Sequence, residues 1–322
     1  MKSDKMISIM TACFNEEENV VELHGAISKI MADQLPEYRW EHIFIDNCSQ
    51  DNTISLLRKL AQQDKDHVKV ILNARNFGHI RSPYHGLLQA SGDAVISMAA
   101  DFQDPPEMIP MFVKEWEQGK KIVIAVKTTS KENRIMFAIR SMYYKLVRNI
   151  SEIELIDNYT GFGLYDKCII QEMRKMDDPY PYIRGLICEI GYPRATIEFS
   201  QPQRVRGVTK NNFYTLYDMA MLGITSNSKI PLRIATMMGF ILSILSLLLA
   251  IGYFILKLVF WSSLPMGTAP LLIGLFFFSA VQLFFIGILG EYILMIYTQV
   301  QHRPHVVESE RINFEESEDD RK

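Results

Sequence analysis

Two long apolar stretches near the end of the chain set the strongest limit on its fold. Residues 234–256 contain no charged side chain, and a second apolar run, Ala269 to Tyr297, is interrupted only by Glu291. Each exceeds the roughly 20 residues that a helix needs to cross a hydrocarbon core of about 30 Å. The linker Trp261–Thr268 is short and uncharged, whereas Lys229 and Arg233 flank one outer end and His302 and Arg303 the other. By the positive-inside rule both outer ends face the cytosol. The expectation is a transmembrane hairpin over 229–300, with helices at about 233–259 and 270–297.

Averaged over 322 residues, this concentration of apolar side chains disappears: the chain is 48% hydrophobic and 22% charged, with formal net charge −3. That balance points to no nucleic-acid partner. Cys13, Cys48, Cys168 and Cys188 form neither a CxxC pair nor a Cys/His metal spacing, so they read as reduced cytosolic thiols. The opening MKSDKMISIM has no apolar core of signal-peptide length. The segment before the hairpin is therefore expected in the cytosol.

That segment alternates between two patterns. Short β-rich runs at Ile7–Ala12, His42–Asp46, Val68–Leu72, Ala94–Ala99 and Ile122–Val126 are separated by longer helix-like stretches. Such alternation predicts an α/β unit with a largely parallel sheet, here residues 1–203. Ligands of such sheets sit beyond the carboxyl ends of the strands. The polar clusters Asn15–Glu17, Asp46–Asp51 and Asp101–Asp104 fall at those ends. Asp104-Pro105-Pro106-Glu107 reads as a helix start, with Asp104 as cap and prolines in the first turn.

Residues 131–150 predict an amphipathic helix with Lys131, Arg134, Lys145 and Arg148 on one stripe. That face is either solvated, on a helix packed against the sheet, or aimed at anionic lipid or substrate phosphates. Over 204–228, Arg204, Arg206 and Lys210 precede an apolar stripe of Phe213, Leu216, Tyr217, Ala220 and Ile224. Aromatic residues beside cations suit a helix lying in the headgroup layer, with packing on the domain as the alternative. Residues 301–322, dominated by Glu and Asp from Val306 onward, read as a disordered acidic tail.

Several segments together resemble glycosyltransferase family 2, in the branch of dolichyl-phosphate mannose synthase and bactoprenol glucosyltransferase. They are FNEEENV (Phe14–Val20), IDNCSQDNT (Ile45–Thr53), NARNFGH (Asn73–His79), DFQDPPE (Asp101–Glu107), RGL (Arg184–Leu186) and ITSNSKIPLR (Ile224–Arg233). GILGEY (Gly287–Tyr292) and HRP (His302–Pro304) also match, so the likeness covers nearly the whole chain. It implies a GT-A (Rossmann-like) α/β domain and inverting transfer of one sugar. The donor would be a nucleotide sugar, expected to be a UDP-sugar, and the acceptor a polyprenyl phosphate such as undecaprenyl phosphate. Mg2+ or Mn2+ is implied as cofactor. A bacterial cytoplasmic membrane, with the catalytic domain inside, is the implied location; homo-oligomerisation is left open.

Residue by residue, the resemblance places Asn15, Glu17 and Asp46 around the nucleotide, and Arg75, also at a matching position, is expected to bind the nucleotide with them. Acids at Glu16–Glu18 would equally favour a helix N-terminus. Asp101 and Gln103 fall at the metal position, where hard cations take oxygen ligands. Relatives usually carry Asp-Ala-Asp there, whereas this chain has Ala99-Ala100-Asp101. The loss weakens the site or shifts it onto Asp101, Gln103 and Asp104. A second usual acid is replaced by Gly161, within IDNYTGFGLYD, with Asp157 nearby as an active-site candidate or a turn residue. Arg206 and Lys210 match a basic segment suited to clamping acceptor and donor phosphates, or to general lipid binding. A processive polysaccharide synthase is disfavoured, because no QxxRW motif occurs and two spans form no channel. A non-catalytic binding partner remains the other alternative.

Overall fold

The protein is described by a computed structural model over residues 4–128, 156, 158–202, 221, 225, 228–259 and 268–314. The first strand, β1 (Met6–Cys13), is followed by α1 (Val20–Gln34), whose buried Val20, Leu23, Ile27, Ile30 and Met31 recur at helical spacing. The pattern repeats through β2 (Arg39–Asp46), α2 (Thr53–Gln63), β3 (Val68–Asn73), α3 (Gly78–Leu88) and β4 (Ala94–Ala99). A short 3-10 turn at Pro106–Met108 leads into α4 (Ile109–Glu117) and β5 (Ile122–Lys127). Each strand expected from the sequence is present, extended by three residues at most.

Then come β6 (Tyr159–Asp166), α5 (Lys167–Met176), α6 (Ile183–Ile190) and β7 (Arg194–Phe199). The chain continues into α7 (Ile230–Val259) and α8 (Thr268–Val300) and ends on β8 (Glu308–Ile312). One sheet results, in the order β7-β5-β6-β4-β1-β2-β3-β8. Its middle strands β4, β1, β2 and β3 are mutually parallel, so their carboxyl ends share one edge. Helices cover both faces. Leu23, Leu57 and Phe112 belong to the core on one side; Tyr84, Leu87, Ile170 and Ile187 belong to the core on the other. Burying both faces explains why these strands are near-continuously apolar.

Among the described residues, α7 and α8 each contain a segment long and apolar enough to cross a membrane, Ile230–Leu248 and Phe277–Val300. Their side chains point outward without protein cover: Phe240 is 69% exposed and Leu271 72%. Near their common end, the Tyr292 hydroxyl donates to the Ser228 carbonyl at 2.6 Å.

Up to residue 314 the tail corrects the expectation of disorder, and residues 315–322 lie outside the described residues. Residues Glu308–Ile312 form β8, antiparallel to β3, with Leu72 opposite Glu310 and Val70 opposite Ile312. The edge of β3 offers unpaired backbone groups, and the two acids within β8 have partners in place. Glu308 meets His85 at 2.5 Å, and Glu310 meets Arg58 at 2.5 Å. Burial works against the Glu308 charge, but hydrogen bonds from His85 and Arg311 hold its carboxyl down at about 2. The expected basic helix over 131–150, Asp157, Arg206, Lys210 and most of the interfacial helix lie outside the described residues.

Candidate active site

Two loops at the ends of β1 and β2 are laced together. Asn15 adopts a left-handed backbone (φ 56°), so its N–H reaches the Ser49 hydroxyl at 2.8 Å while its side-chain oxygen accepts from Gln50 N at 2.8 Å. Glu17 accepts from the Asn52 backbone at 2.9 Å and from its side chain at 2.8 Å. The Glu16 N–H donates to the Thr53 hydroxyl at 2.9 Å. Asp46 is fully buried and accepts from Ser49 N at 2.9 Å and from the Ser49 hydroxyl. Burial pushes its carboxyl above the usual range, against the pull of those bonds. Asn15, Glu17 and Asp46 are thus brought together, with Asp46 turned inward onto its own loop.

Asn47, which the sequence reading did not single out, joins this pair to the next strand. Its side-chain oxygen accepts from Asn73 at 3.1 Å and from Phe77 N at 2.8 Å, while its amide donates to Asn76 at 3.0 Å. Its only signal in the sequence is a strand-end position beside Asp46.

Next to β1, the end of β4 carries the third cluster. Asp101 is 5% exposed, and its Oδ1 accepts from Gln103 N at 3.1 Å across the left-handed Phe102. Asp104 does not cap the following helix, as the sequence suggested. Pro105 takes that position without a side-chain cap, and Pro106 opens the turn. Instead the Asp104 carboxylate reaches back to Ala99 N at 2.9 Å. The reversed bond follows from the tight Ala99–Asp104 loop, which leaves the Ala99 N–H, beyond the pairing with β6, as a part-buried donor needing a partner. Burial then raises the Asp104 carboxyl to about 7, with the nearby Asp101 charge adding to the rise.

The profile described as "Glycosyl transferase family 2" matches residues 8–174. A bactoprenol glucosyl transferase of Shigella phage SfV is 33% identical, over 95% of this chain and 99% of its own length. The prophage bactoprenol glucosyl transferase homolog of Escherichia coli K12 is 30% identical, over 94% and 97%. The chain belongs to glycosyl transferase family 2. Among solved structures, this glycosyltransferase is similar to M. tuberculosis glucosyl-3-phosphoglycerate synthase, with 16% identity, TM-score 0.46, and coverage of 69% of this chain and 79% of that one.

The two positions where the resemblance implies an acid, Ala99 and Gly161, have a visible setting in this transferase. At Ala99, the missing carboxylate has a neighbour in Asp104, which bonds the Ala99 backbone itself. Gly161 lies in a register shift between β5 and β6, at φ 104°, a conformation that side-chain-bearing residues rarely adopt. An aspartate there would be strained by the backbone alone. Arg75, two residues beyond β3, does not join the Asn15–Asp46 group. It donates to the Asn76 carbonyl at 3.0 Å and lies over the Phe77 ring at 4.0 Å.

Proposed function

We propose that this glycosyltransferase moves a single sugar from a nucleotide sugar, expected to be a UDP-sugar, onto a polyprenyl phosphate at the cytoplasmic membrane face. The observation that carries this reading is likeness along the whole chain, apolar helices included, to proteins named bactoprenol glucosyl transferases. The helices α7 and α8 would hold the enzyme in the bilayer, where such an acceptor buries its chain.

Asn15, Glu17 and Asp46 are proposed to frame the base and ribose. No group of three His, Cys, Asp or Glu side chains able to hold a metal occurs among the described residues. A hard cation would take most of its oxygens from the donor diphosphate and water, with Asp101 and Gln103 as protein ligands and Asp104 beside them. Such a Mg2+ or Mn2+ ion would neutralise charge on the departing nucleoside diphosphate. The acceptor phosphate, with a second pKa near ~6, needs no base. Its oxygen forms the new bond to the anomeric carbon as the bond to UDP breaks and UDP keeps the electron pair, inverting that carbon. Asp157 is proposed to orient the acceptor, and Arg206 and Lys210 to clamp phosphates.

The test is an assay of the full chain in nanodiscs with polyprenyl phosphate and a panel of nucleotide sugars. Metal-dependent formation of a polyprenyl-phosphate sugar supports the reading. Failure to bind UDP with metal, or to glycosylate the lipid with any donor, would leave a non-catalytic binding role.

A further inference from the structure

The segment after α8 does more than supply a strand. It folds over the loop between β3 and α3 and borders an open cleft of about 340 Å3, whose lining includes Arg75, Phe77, Arg81, Arg303, Pro304 and Val307. Three of those residues are arginines. Arg75 and Arg81 both lie over Phe77, at 4.0 and 5.4 Å from its ring centre, so one ring holds two like charges side by side. Among the described residues no ion pair joins Arg75, Arg81 or Arg303 to a carboxylate. Arg81 donates one N–H to the Pro304 carbonyl, which fixes the planar group against the wall. Its buried Nε has no hydrogen-bond partner at all. Burial, then the charge of Arg75, holds Arg81 below the ordinary arginine range. Arg75 and Arg303 are exposed, so the cost falls on the buried Arg81 donor, which lacks a partner unless an acceptor in the cleft completes it, and the two exposed cations beside it favour an anionic one.

Two features of position define that anion. Between the ends of β3 and β4 lie three strand spacings, about 14 Å. A diphosphate held near Asp101 therefore cannot also fill this cleft. Arg303 follows Val300, the last residue of α8, by three positions, which puts the cleft where that helix would leave the bilayer. The geometry points to a second anion site in this protein, one that takes the phosphate of a membrane lipid headgroup between Arg75, Arg81 and Arg303. Planar guanidinium groups suit the oxygens of a phosphate better than point charges do. The inference rests on the membrane reading of α7 and α8, but not on the chemistry at Asp101.

The test titrates a short-chain fluorescent phosphatidic acid into the full chain in neutral detergent, with inorganic phosphate as competitor and UDP binding followed in parallel. Arg303→Gln and Arg81→Gln are each expected to weaken lipid binding about tenfold or more, the scale of one charge-assisted contact. UDP affinity should stay unchanged in Arg303→Gln, and inorganic phosphate should displace the lipid only at far higher concentration. Unaltered lipid affinity in both variants overturns the site. So does equal competition by inorganic phosphate, which would make it a free-anion site. A wild-type protein that binds the lipid through these arginines yet never binds UDP would sink the transferase reading alone.

Discussion

Replacing Asp104 by asparagine should make the fold more stable at alkaline pH. The side-chain oxygen that accepts from Ala99 N survives the change, whereas the buried charge does not. An unfolded aspartate sheds its proton near 3.8, but the folded one keeps it until about 7. Below the lower value both states are protonated and the charge costs nothing. Between the two, the fold binds more protons than the unfolded chain, so stability falls as pH rises, and the penalty is complete above about 7. Each decade of proton affinity is worth ~1.4 kcal/mol, so the ceiling is roughly 4 kcal/mol. Relaxation around the ionised group brings the expected gain to about 1–2 kcal/mol. At ~2–4 °C per kcal/mol, Asp104→Asn should melt roughly 3–6 °C above wild type near pH 8.5. The gap should shrink to less than half near about pH 5. Thermal unfolding of the detergent-solubilised full chain, without metal, reads this directly. A gap independent of pH, or of opposite sign, would refute the buried-charge argument. With Mn2+ and UDP added, the wild type should gain more stability than the variant if Asp104 contributes charge to the metal corner.

Asp101→Ala should abolish sugar transfer while leaving expression and membrane insertion intact; normal turnover, or full wild-type activity in excess EDTA, would remove the metal assignment. Arg206→Ala and Lys210→Ala should each lower transfer about tenfold or more, measured in nanodiscs at varied acceptor density; unchanged rates at every density would make both residues lipid anchors. Gly161→Asp, which restores the family acid, should destabilise the domain by about 1–3 kcal/mol through backbone strain; a variant that melts normally and turns over faster would show that the acid is missing for another reason. Glu308→Gln should speed hydrogen exchange along β8 near neutral pH. In the wild type the same loosening should appear only as pH falls from 4.5 toward about 2, because the depressed carboxyl contributes its stability above that window.

What the sequence disclosed divides along the range of the interactions. The five strands up to Lys127 were legible because an apolar run between polar turns is a local signal. So was the clustering of Asn15, Glu17, Asp46 and Asp101, since parallel strands deliver their ends to one edge. Three strands, β6, β7 and β8, had no counterpart. Two glycines and flanking polar residues break the pattern of β6, while β7 is short and follows Pro193. Acidic composition concealed β8, because Arg58 and His85, its neutralising partners, lie more than two hundred residues away. The backward bond of Asp104 and the junction at Asn47 depend on which loops share an edge, and no periodicity reports that.

Pairing β8 with β3 also fixes an order of events during synthesis. The Ser309 hydroxyl meets the Leu72 carbonyl across 237 positions of chain, at 3.0 Å. Both apolar helices are made between those two residues. The catalytic sheet therefore emerges from the ribosome with β3 as a bare edge, and it stays bare until both apolar helices and the segment after them have been made. Closure of the sheet becomes a late step, and a chain stalled before Glu308 exposes a strand ready to pair with another copy of itself.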